Sequence, residues 1–182
     1  MPNAQEIERT WLTKRENIPL NINLDLVPSE FIAQGYIVPA NYAECSKHLV
    51  NITFRLRRKG AAYYFTRKFG GTLIRFENEL QLTEEQFTLM WSMVGNQYLH
   101  KTRYCIPSDS PYSPCGNKTW CDVEIDIFEG KLDGLTLVEI EFPSEEDAKS
   151  FVAPDWFGVD VTEEFKYSNF SLAVNGLPDA QR

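Results

Sequence analysis

The 182-residue sequence predicts an α+β fold dominated by antiparallel sheet, and three observations carry that reading. Eight segments alternate apolar and polar residues with a period of two, the signature of strands with two unlike faces. Glycines and short polar turns separate several of these segments, so sequence neighbours are expected to pair as hairpins in a mainly antiparallel sheet. Helical periodicity is confined to a few short stretches.

The strands are expected at 4–12, 34–39, 50–58, 61–69, 73–81, 99–105, 119–129 and 135–142, with turns at Gly60, Gly70-Gly71 and GKLDG (130–134). Residues 28–33 read as a short turn of helix. Thr83 with Gln86 forms a capping-box pattern that opens TEEQFTLMWSMV, where Phe87, Met90, Trp91 and Val94 share one face. Ser144 opens SEEDAKSFVA, which Pro154 ends, and a third helix is expected to begin near Thr162 in VTEEFKYSNFSLA. The stretch PSDSPYSPCGNK (107–118) reads as a Pro/Ser-rich surface loop. No repeat, linker or shift in composition divides the chain, so one domain over 1–182 is expected.

Composition excludes several functions. A net charge of −8 and a pI near 4.8 argue against a nucleic-acid or membrane-surface partner. The opening MPNAQEIERT has neither a basic nor an apolar export region, and no apolar run approaches membrane-spanning length, so a cytoplasmic location is expected. Cys45, Cys105, Cys115 and Cys121 show no CxxC spacing, and only His48 and His100 could join them, which argues against zinc. A Cys105–Cys121 disulfide is conceivable, but reduced thiols are expected in a chain without an export signal. The Asn-x-Ser/Thr strings at Asn51, Asn117 and Asn169 are then chance matches.

The charges are distributed unevenly. Residues 53–68, TFRLRRKGAAYYFTRK, hold six of the eighteen Lys and Arg residues. Alternation places Arg55 and Arg57 on one face of their strand, with Phe54 and Leu56 on the other. Lys101 and Arg103 lie together on another strand. Asp122, Glu124 and Asp126 share a face, as do Glu139 and Glu141, and Glu6 and Glu8. Arg75, Glu77 and Glu79 form a mixed strand. Side by side, such strands would set a cationic patch beside an anionic one, with the helices covering the opposite, apolar faces. That arrangement suits an oligophosphate bound through metal ions: Arg forks grip phosphate oxygens, and carboxylates hold Mg²⁺ or Mn²⁺ bridging to the same oxygens. A closed sheet with a charged interior would also satisfy the edge strands. For each strand the simpler alternative is a solvated face, and for Arg58, Lys59 and Arg67 that alternative is the expectation.

Seven strings, EIER, FRLRRKGAAYYFTRK, RFENEL, HKTRY, VEIDIFEG, LVEIEF and WFGVDVTEEFKYSN, occur in the order seen in the CYTH superfamily, or triphosphate tunnel metalloenzymes, and the chain resembles that family over residues 4 to 173. The resemblance implies an eight-stranded closed antiparallel β-barrel forming a charged tunnel with flanking helices, and metal-dependent chemistry on a small-molecule triphosphate. It makes Glu6, Glu8, Glu124, Asp126, Glu139 and Glu141 metal-side carboxylates. Arg55, Arg57, Arg75, Lys101 and Arg103 match phosphate-binding positions, and Lys68 matches a lysine that activates the attacking water. Cations around Lys68 would favour its neutral, proton-accepting form; a plain phosphate contact is the alternative. Glu77 and Glu79 are either metal ligands or salt-bridge struts. The chain departs from the family's E-x-E-x-K signature at Thr10, and Arg9 points to the other strand face.

Catalysis on a triphosphate is mostly charge neutralisation and positioning of an in-line water. Inorganic tripolyphosphate hydrolysis is the first expectation, because a compact chain shows no added nucleoside-recognition module. Adenylate cyclase or thiamine/nucleoside triphosphatase activity is the second, and a non-catalytic polyphosphate or nucleotide binder the third. A homodimer is the oligomer to look for.

Overall fold

The computed structural model describes residues 4–38, 52–70, 74–114 and 122–179. Cys45, His48, Asn51, Cys115, Asn117 and Cys121 lie outside the described residues, as does the start of the strand expected at 119–129. Nine strands are described: β1 (Ala4–Thr13), β2 (Ser29–Tyr36), β3 (Thr53–Lys59), β4 (Ala62–Gly70), β5 (Ile74–Leu82), β6 (Tyr98–Ile106), β7 (Val123–Glu129), β8 (Thr136–Glu141) and the two-residue β9 (Val159–Asp160). Three α-helices are described among these residues: α1 (Glu84–Trp91), α2 (Glu145–Ser150) and α3 (Asn169–Asn175).

All nine strands belong to one sheet in the order β5-β4-β3-β2-β6-β7-β8-β1-β9, and every described pairing is antiparallel. β1 divides its pairing. Glu8–Thr13 run beside β8, with Glu8 opposite Glu141 and Thr10 opposite Glu139. Ala4–Ile7 run beside β5, with Glu6 opposite Arg75.

Three apolar clusters hold the sheet. On the outer face of β1, β7 and β8, Trp11, Ile125, Val138 and Ile140 pack with Ala148 of α2 and with Phe157, whose ring meets Trp11 edge-on at 5.0 Å. Outside β3 and β4, Leu56 and Phe65 lie beneath Phe87 of α1 and Val94 beyond it. The Thr83–Gln86 capping box opens α1 as the sequence predicts.

The third cluster corrects the expectation that helices cover only the face opposite the charges. Leu99, Phe128 and Leu137 share the strand face of Lys101, Asp126 and Glu139, and they pack with Phe170, Leu172 and Ala173 of α3. The charged face therefore becomes apolar at one end of the strands, and α3 lies over that end. This helix starts at Asn169 rather than near Thr162, because Ser168 supplies the N-cap and a 3₁₀ turn (Phe165–Tyr167) precedes it.

Two further expectations change. Residues 28–33 do not form a helical turn, and the strand expected at 34–39 begins earlier, as β2. Ile32, Gln34 and Tyr36 face Lys101, Leu99 and Arg55 on one side, while Ala33 and Gly35 lie on the other. Both sides are covered at this end, so the segment lacks the polar alternation that marks half-solvated strands. Gly35 is fixed by close approach: a Cβ there would sit 2.5 Å from Val94 Cγ1 and 3.2 Å from Trp91 Cη2. Gly35→Ala is expected to destabilise the fold by about 1–3 kcal/mol through overpacking, read as a lower urea midpoint at unchanged slope.

Candidate active site

The sheet order sorts the charged strands by sign. Acidic β7, β8 and β1 are neighbours, and β1 continues the acidic side to β5; the cations stand on β4, β3 and β6, with β2 between the last two. Two clusters result.

The first cluster spans β3, β4 and β5. Arg55 is 6% exposed, and its Nη2 lies 3.1 Å from Thr66 Oγ1, 3.4 Å from Glu79 and 3.6 Å from Glu77. Arg57 Nη2 donates to Glu79 at 2.9 Å, and the Thr66 hydroxyl donates to the same carboxylate at 2.8 Å. Burial raises the Glu79 pKa, but the Thr66 hydrogen bond and the Arg57, Arg55 and Lys68 charges outweigh it and the net shift is downward. Burial and the neighbouring Arg55 lower the affinity of Arg57 for its proton. The Nε donors of both arginines are buried and have no acceptor among the described residues. An anion's oxygen would satisfy each of them.

Lys68 pairs with Glu77 and, at 3.3 Å, with Glu6. The sequence-based expectation surrounds Lys68 with cations, whereas here two carboxylates pair with it. The reason is register: Lys68 stands opposite Glu77, and Glu6 enters from β1 beside β5. Arg75 is placed by its backbone opposite Glu6.

The second cluster spans β6, β7 and β8. Asp126 is fully buried. Arg103 grips it in bidentate fashion, Nε to Oδ1 at 2.7 Å and Nη2 to Oδ2 at 2.6 Å, and Lys101 pairs with Oδ2. Burial alone would raise the Asp126 pKa, but Arg103 and Lys101 drive it well below the usual carboxylate range. Arg103 also reaches Glu139 at 2.5 Å and pairs with Glu124. Burial disfavours its charged form, but Asp126 and Glu139 overcome this and raise its pKa well above normal. Asp126 thus has both oxygens engaged by cations.

The carboxylates that lack enough positive charge are on β8. Burial and repulsion from Glu8 push the Glu139 pKa up to about 7. Partial desolvation, with Glu6, Glu8 and Glu124 nearby, also raises Glu141. Among the described residues no three His, Cys, Asp or Glu side chains converge closely enough to hold a metal ion as they stand. The donor set nonetheless fits a hard divalent cation: Glu6, Glu8, Glu139 and Glu141 offer only carboxylate oxygens, and two of them carry raised pKa values that a cation would relieve.

The remaining groups lie outside these two clusters. Arg9 projects to the opposite side, donating to the Ala148 and Phe151 carbonyls at 2.7 and 3.0 Å and pairing with Asp160 at 2.6 Å. Arg58 and Arg67 are exposed, and Lys59 pairs with Glu30 at 3.5 Å. Thr10 Oγ1 donates to Glu8 at a long 3.5 Å, while its backbone N–H donates to Thr162. Cys105 is a half-buried thiol whose pKa is raised by burial. Sequence reasoning missed Thr66, although it shares strand parity with Lys68, and Asn169, whose amide oxygen accepts from Lys101 at 3.2 Å.

An antiparallel sheet carrying cations and carboxylates on opposite halves of one face can hold a multiply charged anion together with a cation. No protein-family model matches the chain. It is 37% identical over 140 residues to the inorganic triphosphatase of Nitrosomonas europaea, covering 77% of this chain and 87% of that protein. Over 57 residues it is 42% identical to the inorganic triphosphatase of Acetivibrio thermocellus, covering 31% of this chain and 33% of that protein. The solved structure of the inorganic triphosphatase NE1496 superposes with a TM-score of 0.63 at 32% identity, covering 95% of this chain and 96% of that one. A candidate adenylate cyclase from Bacillus halodurans shares the fold, with a TM-score of 0.63 at 17% identity over 82% of this chain and 86% of that one. The chain belongs to the CYTH superfamily, the triphosphate tunnel metalloenzymes.

The shift of Glu139 sets a pH dependence. Its folded pKa lies above the ordinary value of 4.5, so its contribution to stability is fully present below that value and is lost as pH rises towards about 7. In excess chelator, stability is expected to decline over this window, and Glu139→Gln should flatten the decline, measured by urea unfolding at half-unit pH steps.

Proposed function

We propose that this protein hydrolyses inorganic tripolyphosphate to pyrophosphate and phosphate, using Mg²⁺ or Mn²⁺. The protein is a triphosphatase, as its similarity to the Nitrosomonas europaea inorganic triphosphatase supports; the inorganic substrate, the metal and the residue roles are the proposal. One observation carries it furthest: buried Arg55 and half-buried Arg57, neighbours on one strand face, each retain a buried Nε donor with no acceptor among the described residues.

In this reading the eight long strands close into a tunnel, supported by the β1–β5 pairing, and α3 fills one end of it. Arg55, Arg57, Arg75, Lys101 and Arg103 serve the phosphates. Glu6, Glu8, Glu139 and Glu141, with Glu124 beside them, would hold the metal, which would supply charge neutralisation at the phosphates. Asp126 orients Arg103 and Lys101. Glu79 pairs with the arginine forks and would yield them to the substrate. Lys68 stands nearest both halves, bonded to Glu77 of β5 and Glu6 of β1, and is the candidate for orienting or deprotonating the attacking water.

Phosphate release from tripolyphosphate is expected only with divalent metal, and excess chelator should abolish it; undiminished hydrolysis in chelator would overturn the metal–phosphate reading. With ATP, cyclic AMP as the main product would instead assign a cyclase.

Arg55→Ala and Arg57→Ala are expected to weaken substrate binding by roughly ten- to a hundredfold, the loss of a charged hydrogen bond, while the outward Arg58→Ala leaves it unchanged. Equal losses at all three would refute this division of faces. Lys68→Arg, which keeps the charge but has no accessible neutral form, should lower kcat more than it raises KM if Lys68 is the base; near-normal kcat would make it a phosphate clamp.

A further inference from the structure

The string WFGVDVTEEFKYSN ends at Asn169, the first residue of α3, and no role assigned above to the reaction includes that residue. Lys101 is 1% exposed, and its ammonium has two oxygen partners among the described residues: the shared Asp126 carboxylate and Asn169 Oδ1 at 3.2 Å. Its third neighbour is the Phe128 ring, with Nζ 5.5 Å from the centroid. Asp126 cannot hold Lys101 alone without competition, because Arg103 takes the same Oδ2 at 2.6 Å. An ammonium has only donors, so the amide must present its oxygen to Lys101. The same residue borders a cleft with Glu8, Thr10 and Glu139, at the edge of the acidic half.

We propose that Asn169 is a positioning residue that acts through Lys101: its amide oxygen holds the buried ammonium beside Asp126 and so fixes the Asp126–Arg103 pair that faces the triphosphate. The inference rests on the reading of Lys101 and Arg103 as phosphate-side residues. It makes the α3 N-terminus part of the site's scaffold as well as a cover over its apolar end. Removing the oxygen would leave a buried N–H without an acceptor and let the ammonium draw Asp126 away from Arg103. A small displacement of Arg103 would act on transition-state positioning more than on folding.

Two variants separate the alternatives. Asn169→Leu removes the acceptor while keeping approximate shape, and Asn169→Asp keeps an acceptor oxygen. Two readouts are taken on the full chain. The first is the ¹⁵Nζ resonance of Lys101, read in excess chelator without substrate. It is expected to exchange slowly in the parent and in Asn169→Asp, and to be lost or broadened in Asn169→Leu. The second is tripolyphosphate turnover with Mg²⁺: Asn169→Leu should lower kcat about tenfold or more with a smaller change in KM, and Asn169→Asp should restore it to within about threefold. An unaltered Lys101 resonance in Asn169→Leu would overturn the proposal, as would equal kcat losses in both variants. If the parent fails to turn over tripolyphosphate, the substrate assignment falls, while the resonance still decides whether Asn169 holds Lys101.

Discussion

A carboxylate with no solvent exposure must be protonated or compensated, and Asp126 is compensated twice. Its pairing with Arg103 and Lys101 sets the geometry of the acidic half of the site. Removing either partner from a buried pair costs on the order of 3–5 kcal/mol, so the three side chains stand or fall together. Arg103 opposes Asp126 in register, and the planar guanidinium held there extends to Glu124 and Glu139 on the strands beyond. One bidentate contact thereby ties β6 to β7 and β8 across their shared face.

The same contact divides the carboxylates by proton affinity. Asp126 is held ionised, whereas Glu139, also touched by Arg103, is raised to about 7 because burial and Glu8 act against its charge. Neighbouring carboxyl groups with opposed shifts are a common arrangement where acid–base or cation chemistry takes place. In the cationic half, Glu79 plays the complementary part. It pairs with both Arg55 and Arg57, with the Thr66 hydroxyl bridging to it, and leaves their Nε donors for another acceptor.

Much of this was legible from strand parity. Alternation in β1, β3, β6, β7 and β8 placed Arg55 with Arg57, Lys101 with Arg103 and Glu139 with Glu141, and the sheet keeps each pair on one face. Arg9 was assigned outward by the same rule and lies there. What parity cannot supply is who stands across the sheet. The partners of Lys68 are Glu77 and Glu6, which depend on the β4–β5 register and on β1 turning towards β5. The commitment of Asp126 to cations depends on burial that its own strand does not reveal. β2 was expected only from residue 34, because a segment covered on both sides lacks the polar alternation of a half-solvated strand. A third helix was expected in VTEEFKYSNFSLA, but its period does not show that it lies over the face that carries the charges.

The divided pairing of β1 also shapes how the chain must assemble. Its partners are β5, with Ala4 opposite Glu77, β8, with Thr13 opposite Thr136, and β9, with Trp11 opposite Asp160, so every ladder it joins spans a long stretch of sequence. Such contacts carry a large loop-closure cost and slow folding relative to local hairpins such as β3–β4. During synthesis β1 emerges well before β8 and must wait for it, and Ile7 and Trp11 stay without their native cover until then. The N-terminal strand, first in the sequence, is therefore among the last elements to find its place.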